Sequence, residues 1–163
     1  MTTTIHDGLT AIQAALELLP KQMTSDRAVT MLLAIGGLES DFATRRQYNN
    51  GPAAGFWQFE RNGGCKGVIT HQASRHWMAA VCGWRKCDPT PTALWKAIQT
   101  DDVLAAAAAR LLLWTDPQPL PPLGDSSSAW GTYYRNWRPG KPRPDAWPGQ
   151  YATALQITRG LTL

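Results

Sequence analysis

The carboxyl group of Glu39 is the side chain in this sequence that is best placed for proton-transfer chemistry. It comes at the end of an apolar segment that contains Ile35 and Leu38, and Phe42 follows closely. Apolar surroundings penalise the charged form of a carboxyl group, so we expect the pKa of Glu39 to be raised. A carboxylic acid that keeps its proton near neutral pH can act as a general acid. Position alone favours a simpler interpretation, in which a glutamate at a helix end points into water.

A segment rich in glycine and aromatic residues, 51–59, changes that balance in favour of a functional site. Its two glycines permit turns and close backbone approaches. Phe56 and Trp57 then place aromatic rings beside the amide of Gln58, whose donors and acceptor suit N-acetyl and hydroxyl groups. A turn that leads into a core-packing helix would explain the two aromatic residues, but it would not explain the whole set.

Glycosidases commonly use two carboxyl groups, and a second one is not obvious in this sequence. Asp41 lies two residues from Glu39, so on a continuing helix it would point elsewhere. Asp101 and Asp102 are better suited to a helix N-terminus. Glu60 follows the aromatic segment and is the alternative second carboxylate. The pattern favours a mechanism in which Glu39 works alone and the substrate's own groups do the remaining chemistry.

Helical spacing of apolar residues predicts the elements that must position these side chains. The helix that leads to Glu39 is apolar nearly all round, which indicates a central buried helix. No run alternates polar and apolar residues well enough to predict a strand. We therefore expect a mainly α, single domain over residues 1–163, with long Pro/Gly-rich loops. The predicted helices cover approximately 5–19, 26–40, 56–60, 70–84, 91–98, 102–114, 126–137 and 149–159.

The composition restricts the partners. Eight tryptophans are unusual in a chain of this length. Some of them should pack in the core, and the rest could stack on sugar rings. A net charge of +4 favours polyanions such as an anionic cell wall. No run of Lys and Arg marks a nucleic-acid-binding arm, so we do not expect nucleic acid as a partner.

The cysteine count and the N-terminal sequence bear on compartment and cofactors. Three cysteines without a recognisable signal peptide favour free thiols, with a bond between Cys82 and Cys87 as the alternative if the protein is exported. The spacing of the cysteines and histidines does not form a metal-binding pattern. We therefore expect no metal and no organic cofactor. No apolar stretch is long enough to span a bilayer, which predicts synthesis in the cytoplasm without stable membrane insertion.

The residues around Glu39 resemble the lytic transglycosylase (SLT) branch of the lysozyme superfamily. Members carry Glu-Ser at the end of a buried helix and then a Gly-Ala-x-Gly-Leu-Met-Gln segment. Glu39 and Ser40 match the first feature, and residues 52–58 match the second. Phe56 stands at the family's Leu and Trp57 at its Met.

Residues 32–60 are also similar to phage-encoded proteins that read Gly-Pro-Ala-x-Gly-(Phe/Leu)-Trp-Gln-Phe-Glu. The match covers about a fifth of the chain. Pro52 stands where the wider family has its first glycine. The family's later Tyr-Asn-Ala-Gly motif has no clean copy. Its nearest counterpart is Tyr134 with Asn136, which is spaced one residue too wide.

The resemblance implies a lysozyme-like fold and cleavage of the β-1,4 bond between N-acetylmuramic acid and N-acetylglucosamine. Glu39 would be the catalytic acid of a lytic transglycosylase. The resemblance also implies that Ser40 and Gln58 orient Glu39 and the substrate, and that Phe56 and Trp57 line the cleft. Tyr134 would be the helper residue, and no metal or cofactor is implied.

Two alternatives remain open at this point. One is a hydrolytic muramidase, or endolysin, that uses Glu60 as a second carboxylate. The other is a non-catalytic wall-binding component of a virion, which would contact other virion proteins as well as peptidoglycan glycan strands. In each case the protein would be made in the host cytoplasm and act in the periplasm or cell wall, during phage entry or host lysis.

Overall fold

The computed structural model describes residues 2–161, and this part of the chain is mainly helical, as predicted. Two short antiparallel strands, β1 (Ala53–Ala54) and β2 (Phe59–Glu60), pair with Ala53 opposite Glu60. The α-helices are α1 (Ile5–Leu18), α2 (Asp26–Ser40), α3 (Lys66–Thr70), α4 (Arg75–Trp84), α5 (Pro91–Ala97), α6 (Asp102–Trp114), α7 (Ser126–Trp137) and α8 (Trp147–Arg159).

The helix α2 lies at the centre of the fold. Ser25 caps its N-terminus, where the side-chain oxygen accepts a hydrogen bond from the backbone N–H of Ala28 at 3.1 Å. Every residue from Ala28 to Leu38 is buried, and α1, α6, α7 and α8 all pack against this helix. The prediction of a central buried helix that ends at Glu39 and Ser40 is confirmed.

The chain turns sharply directly after Glu39. Asp41 and Phe42 both adopt left-handed backbone conformations, with φ of 54° and 51°. The turn sends the Phe42 ring back between α1 and α2. A Cβ atom at Gly8 or Gly36 would come within 2.3 Å of that ring, so only glycine fits at these two positions. This packing fixes where α2 ends and therefore where Glu39 lies.

Two of the predicted helices are wrong in detail. The expected helix over 56–60 does not form, because Gln58 has a φ of 52° and its N–H closes a turn onto the carbonyl of Gly55. The turn leads into β2 instead. The expected helix over 70–84 is divided into α3 and α4. At the division the Ser74 hydroxyl donates to the carbonyl of Val68, which holds the two helices together.

A single cluster of buried apolar side chains joins the helices into one core. Cys65, Cys82 and Cys87 are free thiols, and burial raises the pKa of Cys65 and of Cys82 to about 12. Within residues 2–161, no helix has the length and apolar character that crossing a membrane requires.

Candidate active site

Glu39 lies in the last turn of α2, where its side chain is only partly buried. Its carboxyl oxygen Oε1 accepts a hydrogen bond from the hydroxyl of Tyr133, at 2.5 Å. Tyr133 belongs to α7, and its ring is buried and stacks on the indole of Trp147 with ring centroids 5.4 Å apart. The packing of the ring holds the hydroxyl in place, so the short hydrogen bond is built into the fold.

Burial raises the pKa of Glu39, as the sequence predicted. The hydrogen bond from Tyr133 and the positive charge of Arg143 act in the opposite direction, but they do not cancel the effect of burial. Burial and the charge of Glu39 also raise the pKa of Tyr133, so the phenol remains a proton-bearing donor near neutral pH. The pair therefore consists of a carboxyl group with a raised pKa and a hydroxyl that donates a hydrogen bond to it.

Arg143 is a functional candidate that the sequence analysis missed. It lies in the irregular loop between α7 and α8, and its guanidinium donates a hydrogen bond to the backbone carbonyl of Leu38. That carbonyl is one of the last in α2, where a cation is favoured by the partial negative charge of the helix end. A proline-rich loop gives no local signal that one of its arginines will reach this site.

Ser40 ties the segment 51–60 to the end of α2. Its hydroxyl donates to the backbone carbonyl of Phe56 at 2.7 Å and accepts from the N–H of Phe42 at 3.2 Å. Its side chain is buried, so both interactions lie inside the protein. Ser40 therefore supports Glu39 through the backbone, and the expectation that it contacts substrate is wrong for this conformation.

Phe56 and Trp57 do not line a cleft. Their exposed fractions are 0% and 1%, and the Trp57 indole N–H donates to the backbone carbonyl of Leu32 at 2.8 Å. Both rings pack edge-to-face with Phe42 and with each other. The segment folds back onto α2, so its aromatic residues fill the core. The simpler interpretation, that these residues pack in the core, is the correct one.

The side chain of Gln58 is partly exposed to solvent. Its amide nitrogen donates to the carbonyl of Gly55 at 2.9 Å, while its amide oxygen has no hydrogen-bond partner in residues 2–161. The side chain of Trp137, in α7, is also partly exposed, and its indole N–H donates to the carbonyl of Trp57 at 2.9 Å. Gln58 and Trp137 are therefore a polar and an aromatic side chain in this region that remain accessible to a ligand.

Tyr134 is not the partner of Glu39. Its side chain is 49% exposed, and the neighbouring Tyr133 makes the hydrogen bond instead. Adjacent residues on an α-helix point about 100° apart, so only one of the two tyrosines can face α2. The sequence contained a signal for the correct one, because Ala129, Tyr133 and Trp137 recur at a spacing of four residues.

The other candidate carboxylates lie in different surroundings. Glu60 is exposed on β2, and among residues 2–161 no hydrogen bond connects it to Glu39. Asp41 is exposed as well, and Asp101 and Asp102 form ion pairs with arginine side chains. Over the same part of the chain, no three His, Cys, Asp or Glu side chains form a group that could hold a metal ion.

Two pockets lie elsewhere in residues 2–161, and Glu39 lines neither of them. A groove of about 650 Å³ runs along the neighbouring face of the end of α2, where Gly37, Asp41 and Gln150 line it. A second pocket, of about 340 Å³, lies at the C-terminal end of α6.

Comparison with known proteins gives no match: no family model, no curated protein and no solved structure is significantly similar to this chain. The lysozyme-like interpretation therefore depends on the residues quoted from the sequence and on the geometry around Glu39.

Proposed function

We propose that the protein is a peptidoglycan-degrading glycosidase that acts as a lytic transglycosylase, with Glu39 as its single catalytic carboxyl group. The observation that carries the proposal is the partly buried carboxyl group at the end of α2, which has a raised pKa and a hydrogen bond from Tyr133. A general acid needs a proton to give and a fixed direction in which to give it. Burial supplies the first property, and the buried tyrosine supplies the second.

In the first step, Glu39 donates its proton to the oxygen that joins N-acetylmuramic acid to N-acetylglucosamine. The bond between this oxygen and the anomeric carbon of the muramic acid breaks, and the N-acetyl group of that sugar assists at the anomeric carbon. The leaving sugar departs with a hydroxyl group. No protein nucleophile takes part in this step.

In the second step, the ionised Glu39 removes the proton from the primary hydroxyl of the muramic acid. The oxygen of that hydroxyl attacks the anomeric carbon, which closes an anhydro ring and regenerates the acid. Tyr133 and Arg143 support this half of the cycle, because a hydrogen bond and a nearby cation both stabilise the carboxylate. Both lower the pKa of Glu39, in the direction opposite to the effect of burial.

The surroundings of Glu60 support the single-carboxyl mechanism over a two-carboxyl hydrolase. A general base must lie within hydrogen-bonding reach of its water, in a position that the protein holds. The side chain of Glu60 is exposed, and no hydrogen bond within residues 2–161 holds its carboxylate beside Glu39. Gln58 and Trp137, at the edge of the site, are the proposed contacts to the N-acetyl groups and sugar rings.

The partners follow from the same proposal. The substrate is the glycan strand of peptidoglycan, and a positive net charge of +4 favours an anionic wall. The resemblance of residues 32–60 to phage-encoded proteins supports the proposal that the protein acts in phage entry or host lysis, in the periplasm or the cell wall.

The decisive experiment compares wild-type protein with Glu39→Gln in the clearing of purified peptidoglycan. The amide keeps the size of the side chain and can still accept from Tyr133, but it has no proton to give. We expect clearing to slow by about 10²- to 10⁴-fold, the range for loss of a general acid. Glu60→Gln is the matched control and is expected to clear at the wild-type rate.

Product masses distinguish the reaction types. Anhydro-muramyl ends support the transglycosylase, whereas reducing muramic acid ends would show that water completes the reaction. Equal clearing by wild-type protein and Glu39→Gln would remove Glu39 from the mechanism. Wild-type protein that sediments with peptidoglycan without clearing it would instead support a wall-binding component.

A further inference from the structure

Arg110, in α6, is a buried cation that the proposed mechanism does not use. It is 3% exposed, and its Nε atom donates to the backbone carbonyl of Met23 at 2.8 Å. The guanidinium carbon lies over the ring of Trp114, 5.5 Å from the ring centroid. Burial lowers the pKa of Arg110 to about 10, which leaves the group charged near neutral pH. A charged group in such a position is costly unless something pairs with it.

No carboxylate in residues 2–161 forms an ion pair with Arg110. The acidic residue nearest along the chain, Asp116, is already engaged. Its carboxylate accepts from the guanidinium of Arg135 and from the amide of Asn136, each at 2.8 Å. The described part of the chain therefore provides a buried positive charge without a negative partner.

Arg110 lines a pocket of about 340 Å³. The two terminal nitrogens of Arg110 make no hydrogen bond within residues 2–161. Every fully buried side-chain nitrogen or oxygen in that part of the chain has a hydrogen-bond partner. The terminal nitrogens must therefore retain accessible surface, and the pocket is the space that Arg110 lines. The rest of the wall comes from Leu113, Trp114, Asp116 and residues 117–120.

We propose that this pocket binds a small organic carboxylate, which the terminal nitrogens of Arg110 hold while Trp114 and the prolines contact its apolar part. A guanidinium presents two parallel N–H groups that match the two oxygens of a carboxylate. The indole and the proline rings offer flat apolar surface beside that charge. Asp116, in the same wall, disfavours an anion with more than one charge such as phosphate. The pocket volume suits a ligand of a few heavy atoms to about amino-acid size.

A titration followed by NMR tests the proposal on the intact wild-type chain. The Nε–H signal of Arg110 is observed while N-acetylalanine is added at constant ionic strength. Signals of the indole N–H groups, including that of Trp114, are followed in the same spectra. We expect both residues to shift in a saturable way with N-acetylalanine, and acetate to compete. N-acetylalanine amide, which has the same shape without the charge, is the matched control and is expected to leave them unchanged.

Arginine variants then test whether Arg110 is the recognising group. Arg110→Gln is expected to weaken N-acetylalanine binding by about 10- to 100-fold, as for loss of hydrogen bonds to a charged group. Arg27→Gln is the control, because this exposed arginine makes one side-chain hydrogen bond within residues 2–161, to the carbonyl of Leu120 at the pocket edge, at 3.4 Å. Binding by Arg27→Gln is expected to equal that of wild type.

Three results would overturn the proposal. They are an unsaturable response at Arg110, equal binding of the neutral amide, or tighter binding of inorganic phosphate than of N-acetylalanine. Because the titration uses the wild-type chain, poor folding of Arg110→Gln would not remove the test. Glu39→Gln should bind N-acetylalanine as wild type does, so failure of this proposal and failure of the proposed activity are separate results.

Discussion

The carboxyl end of α2 and the segment 51–60 are tied together, but they expose their most notable side chains to very different extents. Glu39 is partly accessible and has a polar partner from another helix. Trp57 is 1% exposed, and its indole N–H is satisfied by a backbone carbonyl of α2. Both residues belong to the motif that suggested a functional site. The difference shows that one sequence motif can contain both a candidate catalytic residue and the core residues that hold it in position.

The connection between the two regions is made by backbone carbonyls. The Ser40 hydroxyl donates a hydrogen bond to the carbonyl of Phe56. The indole N–H of Trp57 donates to the carbonyl of Leu32, and the indole N–H of Trp137 donates to the carbonyl of Trp57. The segment is therefore held between α2 and α7, the two helices that carry Glu39 and Tyr133. The substitutions below test whether segment 51–60 contributes to stability by packing, and whether the end of α2 contributes to activity through the ionisation of Glu39.

The largest effect on stability is expected for Trp57→Ala. Removing a fully buried indole should lower the free energy of unfolding by about 3 to 5 kcal/mol. Urea unfolding measures this loss. Trp84→Ala, at a site that is 56% exposed, is the control and should cost far less. A Trp57→Ala variant that kept wild-type stability but lost activity would contradict the packing role and restore a substrate contact.

Tyr133→Phe tests the polar partner of Glu39. Loss of a hydrogen bond to an ionisable group should cost about 1 to 3 kcal/mol of stability. The bond from Tyr133 lowers the pKa of Glu39, so its removal should raise that pKa further. If Glu39 must be protonated to act, the basic limb of the pH–activity profile should move to higher pH.

Tyr134→Phe is the matched control for this test, because the residue is adjacent in sequence but half exposed. Its profile should coincide with that of wild type. A basic limb that moved in Tyr134→Phe and not in Tyr133→Phe would reverse the assignment of the two tyrosines.

Arg143→Gln should move the basic limb in the same direction by a smaller amount. The positive charge lowers the pKa of Glu39 and is the weakest of the three influences on it. Arg143 is exposed, so salt should screen its effect. We expect the wild-type limb to approach that of Arg143→Gln as salt is added. Arg138→Gln, in the same loop, is the control, and an equal shift there would point to net charge.

The smallest effect concerns the stability of Glu39→Gln. The pKa of Glu39 is higher in the folded protein than in the unfolded chain, so the folded state holds its proton more tightly. Stability from this group is complete below the unfolded pKa and is lost as pH rises through the folded pKa. Thermal unfolding should therefore show Glu39→Gln gaining on wild type as the pH approaches neutrality. A difference that stayed constant from acid to neutral pH would mean that burial does not perturb Glu39.

Much of the helical framework could be predicted from local patterns. Asp101, for example, accepts from the backbone N–H of Leu104 and starts α6 where the sequence placed a helix N-terminus. The predicted helix over 56–60 failed because the left-handed conformation of Gln58 depends on how the segment packs against α2. Apolar spacing does not contain that information.

The sequence by itself determined that Glu39 stands at the end of a buried helix, because apolar spacing and the Ser25 cap are local properties. Only the tertiary structure decided that Tyr133 is its partner and that Arg143 lies beside it. Those contacts join residues that are 94 positions apart, for Tyr133 and Glu39, and 105 apart, for Arg143 and Leu38. Contacts over such separations depend on how whole helices and loops pack, and no local pattern in the sequence specifies that packing.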